Sequence, residues 1–324
     1  MSLSTELILT LQQLSGWGTK SILSLAEVAP WENWANLCAG WTELKAELKG
    51  LGDSSSYKRL GTMMHKLSLS ELEQAHEQAL RLQEQCVSQG IGIISYYDAD
   101  FPEMLRHCLS ESGKLAPAIL LYYRGSLAAL TKQGVAMIGT RNPSAGALTA
   151  CQYFGEKLAA VGFNIVSGLA LGCDGACQQA AVDIGGTTTA FLANGLAWEN
   201  LYPEQHLFLA QQIVECGGLL LSEYAPQLQA HARAFVERDR LQAGLALATI
   251  AIQCRQKSGT MHAINATLHS KKPLFVVQYK HKNDCEHEQC SGNSYLLNSG
   301  QAQPLRSDNF TDVLSQLQKQ GAYS

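Results

Sequence analysis

The sequence is short of charged residues and has no long hydrophobic run. Charged residues make up 16% of the 324 and hydrophobic residues 46%, which argues against long disordered tails and favours a large buried core. No stretch approaches the roughly 18 consecutive apolar residues of a membrane span. Residues 1–14 lack the basic and apolar regions of a secretory signal, and the ten cysteines are scattered. We therefore expect a cytoplasmic protein with free thiols and no membrane contact.

Several motifs of catalysis are also absent. The chain has no GxxxxGK followed by Ser or Thr, no GxGxxG after its first predicted strand, no HExxH and no GxSxG. These absences argue against P-loop nucleotide hydrolysis, dinucleotide binding, and metalloprotease or esterase chemistry. No nucleophile stands beside an evident base. We therefore predict a binding protein rather than an enzyme, and we expect no cofactor.

Basic residues are few overall but concentrated in one stretch. The net charge is −4 and the pI is about 6.1, so a nucleic-acid site would have to be a local patch. Residues 142–232 hold one basic residue against seven acidic ones, whereas residues 233–282 hold nine basic residues against two acidic ones. A basic stretch of this kind is typical of a DNA footprint. The alternative is an ordinary solvated helix face.

The hydrophobic pattern predicts two kinds of structure in succession. Residues 1–85 read as short helices, and Ser68 and Glu71 have the spacing of a capping box. Short apolar strands and helices then alternate, which predicts a mostly parallel sheet covered on both faces. The predicted domains are a small helical domain (1–85), an α/β domain (86–310) and a C-terminal helix or tail (311–324). The predicted strands are 91–95, 118–123, 135–138, 164–166, 187–192, 219–221, 247–252 and 274–277, and one of the helices is predicted to begin at Arg238.

Glycines and hydroxyl residues follow several predicted strands. Ligands of parallel sheets bind at the carboxyl ends of the strands, and glycine lets backbone N–H groups approach a phosphate at a helix start. Tight turns need glycine without any ligand, so each loop alone leaves both readings open. The candidate phosphate-binding residues are Gly139, Ser167, Gly168, Gly172, Gly259 and Thr260.

Arginines and one phenylalanine complete the candidate site. Arg141 follows a predicted strand end and suits a phosphate, although a surface ion pair is the alternative. Phe235 stands among arginines and can stack an unpaired base, although it can equally be a core residue. The candidate nucleic-acid-binding residues are Arg141, Phe235, Arg238, Arg240, Lys257 and Ser258.

A polar segment carries four potential zinc ligands. His281, Cys285, His287 and Cys290 fall within ten residues, but their spacing fits no common structural zinc signature. We interpret the segment as a polar loop and predict no metal.

The order of these motifs resembles the DNA-processing protein A family (DprA, also called Smf). The resemblance covers roughly residues 5–305. The matching segments are Ile138–Arg141, Ser167–Asp174, Gly185–Thr187, Leu201–Pro203, Leu221–Tyr224, Phe235–Arg240, Ala243–Leu245, Ser258–Thr260 and Gly292–Gly300, with Phe101–Leu105 and Leu121–Gly125 upstream.

The resemblance implies an extended Rossmann-like domain behind a small helical domain. It also implies single-stranded DNA binding, a homodimer, and loading of the RecA recombinase during natural transformation (competence). In that family Arg141 and the motif Phe235–Arg240 would lie at the DNA pocket. The chain departs from the family at Asp239, where an asparagine is usual, and at Gln178, where a histidine is usual. We also expect no winged-helix tail.

Two other functions fit the same predicted fold. A LOG-type nucleotide phosphoribohydrolase would need a glutamate three residues after Thr260, where the chain has Ala263. A sensor that binds a small nucleotide would use the same rim, and Asp239 favours it. Release of base from AMP would identify the enzyme, and salt-sensitive binding of single strands would identify the DNA binder.

Overall fold

The computed structural model describes residues 2–28, 31–47 and 55–321. The described helices are α1 (Thr5–Gln13), α2 (Thr19–Val28), α3 (Trp34–Glu47), α4 (Ser55–Lys66), α5 (Leu69–Ser88), α6 (Glu103–Arg106), α7 (Ala145–Ala160), α8 (Cys173–Asp183), α9 (Leu207–Glu215), α10 (Ala232–Leu245), α11 (Thr260–His269), α12 (Lys282–Cys285), α13 (Ser291–Asn298) and α14 (Phe310–Gly321). The strands are β1 (Gly92–Ser95), β2 (Leu120–Gly125), β3 (Gly134–Ile138), β4 (Asn164–Ser167), β5 (Thr188–Phe191), β6 (Leu219–Ser222), β7 (Ala246–Ala251), β8 (Leu274–Val277) and β9 (Gln303–Leu305).

The chain divides into two compact units. The first comprises residues 1–101 and 118–121, and the second comprises residues 102–117 and 122–324. The predicted boundary at residue 85 stays a prediction, and residues 1, 29–30, 48–54 and 322–324 of the predicted terminal regions lie outside the described residues. In the part of the chain that the structure describes, no helix combines the length and apolarity needed to cross a bilayer.

The first unit is built from helices α1–α5. Helices α1 and α5 pack together, and the buried face of α1 includes Leu7 and Leu11. Ser68 accepts a hydrogen bond from the backbone N–H of Glu71, whose side chain accepts from the backbone N–H of Ser68. This capping box confirms the predicted start of α5. Beyond β1, the N–H of Tyr96 donates to the carbonyl of Ile119.

The second unit is a mostly parallel sheet with the strand order β2-β6-β5-β4-β3-β7-β8-β9. Strand β2 runs antiparallel to β6, and every other pair in this series is parallel. Strand β3 lies between β4 and β7, so the strands that follow β3 in the chain are placed first on one side of it and later on the other. The predicted α/β class with a mostly parallel sheet is confirmed.

Both faces of this sheet are covered. Successive residues of β7 and β8 point to opposite faces of the sheet. Ile250 and Phe275 belong to an apolar cluster with α7, α8 and α14. Ala251 and Val276 belong to a second cluster with α11 and α13. Because successive residues of a strand face opposite ways, a strand buried on both faces must be apolar throughout. That is the pattern from which the strands were predicted.

The structure corrects one helix start and adds one strand. Helix α10 begins at Ala232 rather than Arg238, because the ring of His231 accepts a hydrogen bond from the N–H of Ala234 and caps the helix. Strand β9 was not predicted. It is three residues long and contains Pro304, which a strand tolerates at the edge of a sheet.

Candidate nucleic-acid interface

A cavity of about 590 Å³ opens at the carboxyl ends of β3 and β7. These two strands are neighbours, and β4 lies on the other side of β3, so the cavity sits where the strand order reverses, the usual ligand position in such sheets. Its walls bring together many of the predicted site residues: Gly139, Arg141, Phe235, Arg238, Ser258, Gly259 and Thr260.

Arg141 and Phe235 form one side of the cavity. The guanidinium carbon of Arg141 lies 4.9 Å from the centre of the Phe235 ring, a cation–π distance. Arg141 is exposed and Phe235 is half-buried, so both reach the solvent side of the site. Arg141 offers a positive charge to a phosphate of a nucleic-acid strand, and the Phe235 ring beside it offers a planar surface to a base.

The start of α11 forms the opposite side. Ser258, Gly259 and Thr260 line the cavity at the N-terminal end of the helix, where unpaired N–H groups favour an anion. Arg255 lines the cavity just before them, with its Nη1 atom 3.0 Å from Oε1 of exposed Glu288. The predicted anion position at residues 258–260 therefore faces the same space as Arg141.

The other predicted phosphate loop is engaged within the protein. The N–H of Gly168 donates to the Asp174 carboxylate at 3.2 Å, and the N–H of Leu169 donates to the Gln178 side chain at 3.0 Å. The Ser167 hydroxyl is buried and donates to the carbonyl of Met137. The carboxylate of Asp174 thus occupies the position that an anion would take in this loop, and a phosphate-binding role for Ser167, Gly168 and Gly172 stays a prediction.

Glycine is required at two positions of this loop. A Cβ atom on Gly168 would lie 1.3 Å from Nη1 of Arg238, so the loop backbone packs directly against that guanidinium. Gly172 has a φ of +84°, and a Cβ there would lie 2.4 Å from the carbonyl oxygen of Thr140. The glycines therefore serve close packing around Arg238 and the turn into α8.

Two predicted nucleic-acid-binding residues lie elsewhere. Both Nη atoms of Arg240 donate to the carboxylate of Glu223 at 2.7 Å, and its Nε donates to the carbonyl of Ala116. The half-buried carboxylate of Glu223 thus already engages the guanidinium, and a nucleic-acid-binding role for Arg240 stays a prediction. Lys257 lines a second cavity of about 550 Å³ that shares Arg255 with the first.

The segment with four potential zinc ligands contains short helical elements rather than only a loop. It contains α12 and a 3₁₀ turn at Glu288–Cys290. The Cys285 thiol donates to the carbonyl of Tyr279, and Cys290 is buried. Across the described residues, no cluster of three or more His, Cys, Asp or Glu side chains is arranged to hold a metal ion.

The family model for DNA recombination-mediator protein A matches residues 92–318. The chain belongs to this family. The DNA processing protein DprA of Bacillus subtilis (strain 168) is 28% identical over 209 residues, which are 64% of this chain and 67% of that protein. Protein Smf of Escherichia coli (strain K12) is 32% identical over 157 residues, 48% of this chain and 41% of that protein. The match thus spans about two thirds of the first relative and two fifths of the second.

Solved structures of the family share this fold. The structure of DNA processing protein A from Streptococcus pneumoniae matches with a TM-score of 0.71 and 24% identity over 97% of this chain and 98% of that one. A structure of the Helicobacter pylori family member, described by its single-stranded DNA binding mode, matches with a TM-score of 0.58 and 28% identity over 70% of this chain and 96% of that one. The Rossmann-like extended sheet expected from the resemblance is confirmed.

In this family member, Arg238 forms the centre of a buried charge cluster at the base of the cavity. Arg238 is 4% exposed, and its Nη1 donates to the carbonyl of Phe191 at 3.0 Å. Its Nε lies 3.2 Å from Oδ1 of Asp239, an ion-pair distance without hydrogen-bond alignment. Burial raises the pKa of Asp174, while the charges of Arg238 and Arg141 act in the opposite direction. The charge of one arginine thus acts on a buried carboxyl group, Asp174, and a half-buried one, Asp239.

Burial raises the pKa of Asp239 to about 6, against the opposing charge of Arg238. In the unfolded chain an aspartate has a pKa of about 3.9, so ionisation of Asp239 lowers the stability of the fold as the pH rises from about 4 to about 6. We expect Asp239→Asn to unfold with a free energy about 1–2 kcal/mol higher than the wild type at pH 8 and nearly equal at pH 4. Urea unfolding at both pH values measures this, and a less stable variant at pH 8 would contradict it.

Sequence reasoning missed part of the cavity wall. His262 lines the cavity and its Nδ1 atom contacts the carboxylate of Glu111. Asn142 and Gln289 also line it, and Gln289 accepts a hydrogen bond from Thr140. His262 lies two residues after Thr260, so the helix start that was identified could have pointed to it. Gln289 comes from the polar segment, and no local pattern signals its position.

Proposed function

We propose that this protein binds single-stranded DNA in the cavity between Arg141, Phe235 and the start of α11. The observation that carries the proposal is the meeting of three features in one cavity: an exposed arginine, an aromatic ring in contact with it, and a helix N-terminus. Phosphates would meet Arg141, Arg255 and residues 258–260, while bases would stack beside Phe235. Family membership and the single-stranded DNA binding mode described for the H. pylori protein support this.

We propose further that binding serves recombination without catalysis. The family description, DNA recombination-mediator protein A, supports a role in handing the strand to a RecA-type recombinase, with natural transformation as its setting. The protein would act in the cytoplasm as a homodimer. Pull-down of purified RecA by the protein on single-stranded DNA tests the recombinase as a partner. Determination of the molecular mass in solution tests the homodimer.

Replacing Arg141 by alanine is expected to weaken binding to all single-stranded sequences alike. Loss of one phosphate contact and of the cation–π pair should cost about 1–2 kcal/mol, roughly 5- to 30-fold in Kd, and should reduce the salt slope by about one. Fluorescence anisotropy with labelled oligonucleotides between about 50 and 200 mM salt measures both quantities.

Arg81→Ala provides the matched control. Arg81 is exposed on α5 and lies 3.6 Å from Glu77, far from the cavity in sequence and in a different unit. Its replacement should leave Kd and the salt slope unchanged. If the wild type fails to bind single strands at low salt, the proposed function is wrong. If Arg141→Ala loses affinity for only some sequences, the phosphate role is wrong.

A small nucleotide is the second candidate ligand. The cavity volume of about 590 Å³ lies in the range of small-molecule sites. Asp239 also gives the cavity an acidic group, which binding of a DNA phosphate backbone does not require. Calorimetric titration with nucleoside mono- and diphosphates tests this. Micromolar binding of a mononucleotide, combined with weak binding of oligonucleotides, would favour the sensor.

A phosphoribohydrolase is the least supported alternative. Ala263, at the position where that enzyme class would need a glutamate, is buried at the cavity wall. An alanine there cannot stabilise a positively charged sugar transition state. Incubation with AMP should therefore release no adenine, and measurable release would overturn the non-catalytic proposal.

A further inference from the structure

Two residues of α10 present different chemistry to the same cavity. Phe235 and Asp239 are four residues apart on the helix, so their side chains lie one above the other on one face. Both line the cavity. A flat ring placed against Phe235 would therefore have one edge directed towards Asp239.

Only one oxygen of the Asp239 carboxylate, Oδ1, has polar partners among the described residues. Its Oδ1 atom accepts a hydrogen bond from Nε2 of Gln242 at 3.2 Å and lies 3.2 Å from Nε of Arg238. Its side chain is 14% exposed, and Oδ2 has no hydrogen-bond partner among the described residues. The second oxygen is therefore left as an acceptor on a residue that lines the cavity.

A second acceptor lies beside it. Gln242 is 1% exposed and also lines the cavity, and its Oε1 atom has no hydrogen-bond partner among the described residues. A buried polar atom without a partner is unfavourable. This end of the cavity therefore offers acceptors and favours a ligand edge that carries N–H donors.

We propose that the cavity selects an unpaired guanine base of the bound strand. The base would stack against the pair formed by Phe235 and Arg141, and its adjacent N1–H and N2–H groups would donate to the Asp239 carboxylate. This inference rests on the proposed single-stranded DNA binding and adds a base preference to it.

Guanine fits this site better than the other bases. Its Watson–Crick edge carries two adjacent N–H donors, which match the two oxygens of a carboxylate. Thymine has one N–H between two carbonyl oxygens, which the carboxylate would repel. Adenine and cytosine each offer one amino group beside a ring nitrogen that is itself an acceptor.

The test compares oligonucleotides that differ in one base. The probes are labelled thymidine strands of about 12 nucleotides, all-thymine or with one central guanine, hypoxanthine or 2-aminopurine. The full chain at pH 7.5 should bind the guanine strand about 5- to 20-fold more tightly than the all-thymine strand. Hypoxanthine lacks the 2-amino group and 2-aminopurine lacks N1–H, so each should lose most of this preference.

Variants then assign the preference to one side chain. Asp239→Asn should bring the guanine-to-thymine ratio close to one, whereas Asp183→Asn, an exposed aspartate on α8, should leave it unchanged. Equal affinity for the two strands in the wild type, or a ratio unaffected by Asp239→Asn, would overturn the inference while leaving single-strand binding intact. If no strand binds, the proposed function itself fails.

Discussion

Arg238→Met is expected to lower the free energy of unfolding by about 3–5 kcal/mol, because breaking a buried ion pair by removing one partner leaves an uncompensated charge. Arg238 is 4% exposed, and its charge acts on both Asp174 and Asp239. Methionine has a similar length but carries no charge and cannot donate to the carbonyl of Phe191. Urea unfolding at pH 8, followed by far-UV circular dichroism, measures the loss.

Three comparisons separate this effect from a general loss of packing. Arg233→Met, on the same helix, removes an exposed arginine paired with Glu237 and should change stability by less than about 0.5 kcal/mol. The double variant Arg238→Met with Asp239→Asn should recover part of the loss, since one carboxylate is removed with its partner. The loss should also shrink as the pH falls below about 6, because burial raises the pKa of Asp239 to about 6 and that carboxyl group becomes neutral there. A loss independent of pH would contradict the charge argument.

Most of the sheet could be predicted because its strands are apolar on both faces. Where that signal is weak, prediction failed. The first turns of α10 carry Arg233 and Glu237 on an exposed side, and the helix is capped by His231, a residue outside the usual set of N-cap residues. Strand β9 has only one buried residue, Leu305, so neither its length nor its pattern distinguishes it from a turn.

The candidate site was predictable as a list of residues but not as an arrangement. Arg141 and Phe235 were identified for separate reasons, and their contact at 4.9 Å depends on how α10 crosses the end of β3. Arg240 was chosen by the same reasoning as Arg238, two residues before it. On a helix these two side chains point in different directions, so Arg238 reaches the cavity while Arg240 meets Glu223. Sequence spacing alone could not reveal that Glu223 lay on that side.

Lys272→Met is expected to destabilise the second unit by about 2–4 kcal/mol, since a hydrogen bond from a charged donor contributes about 1.5–3 kcal/mol and several are lost together. The Nζ atom of Lys272 donates to the carbonyls of Ala243, Gly244 and Ala246, at 2.9, 2.5 and 2.7 Å. These carbonyls lie where α10 ends and β7 begins, and a cation there also complements the helix dipole. The ammonium therefore fixes the end of the helix that carries Phe235 and Asp239.

The pH dependence of Lys272→Met tests whether folding removes the Lys272 amine from water. Burial lowers the pKa of Lys272 to about 8, below the value near 10.4 of an unfolded lysine. The unfolded wild type then binds more protons than the folded one between pH 8 and 10, so the wild type gains stability there relative to the variant. The stability difference, measured by urea unfolding, should thus grow from pH 7 to pH 10. Lys271→Met, a neighbouring exposed lysine, should show neither the loss nor the pH dependence, and amide hydrogen exchange at residues 243–248 should accelerate only in Lys272→Met. A constant difference across this pH range would mean that burial does not lower the pKa of Lys272 in the folded chain.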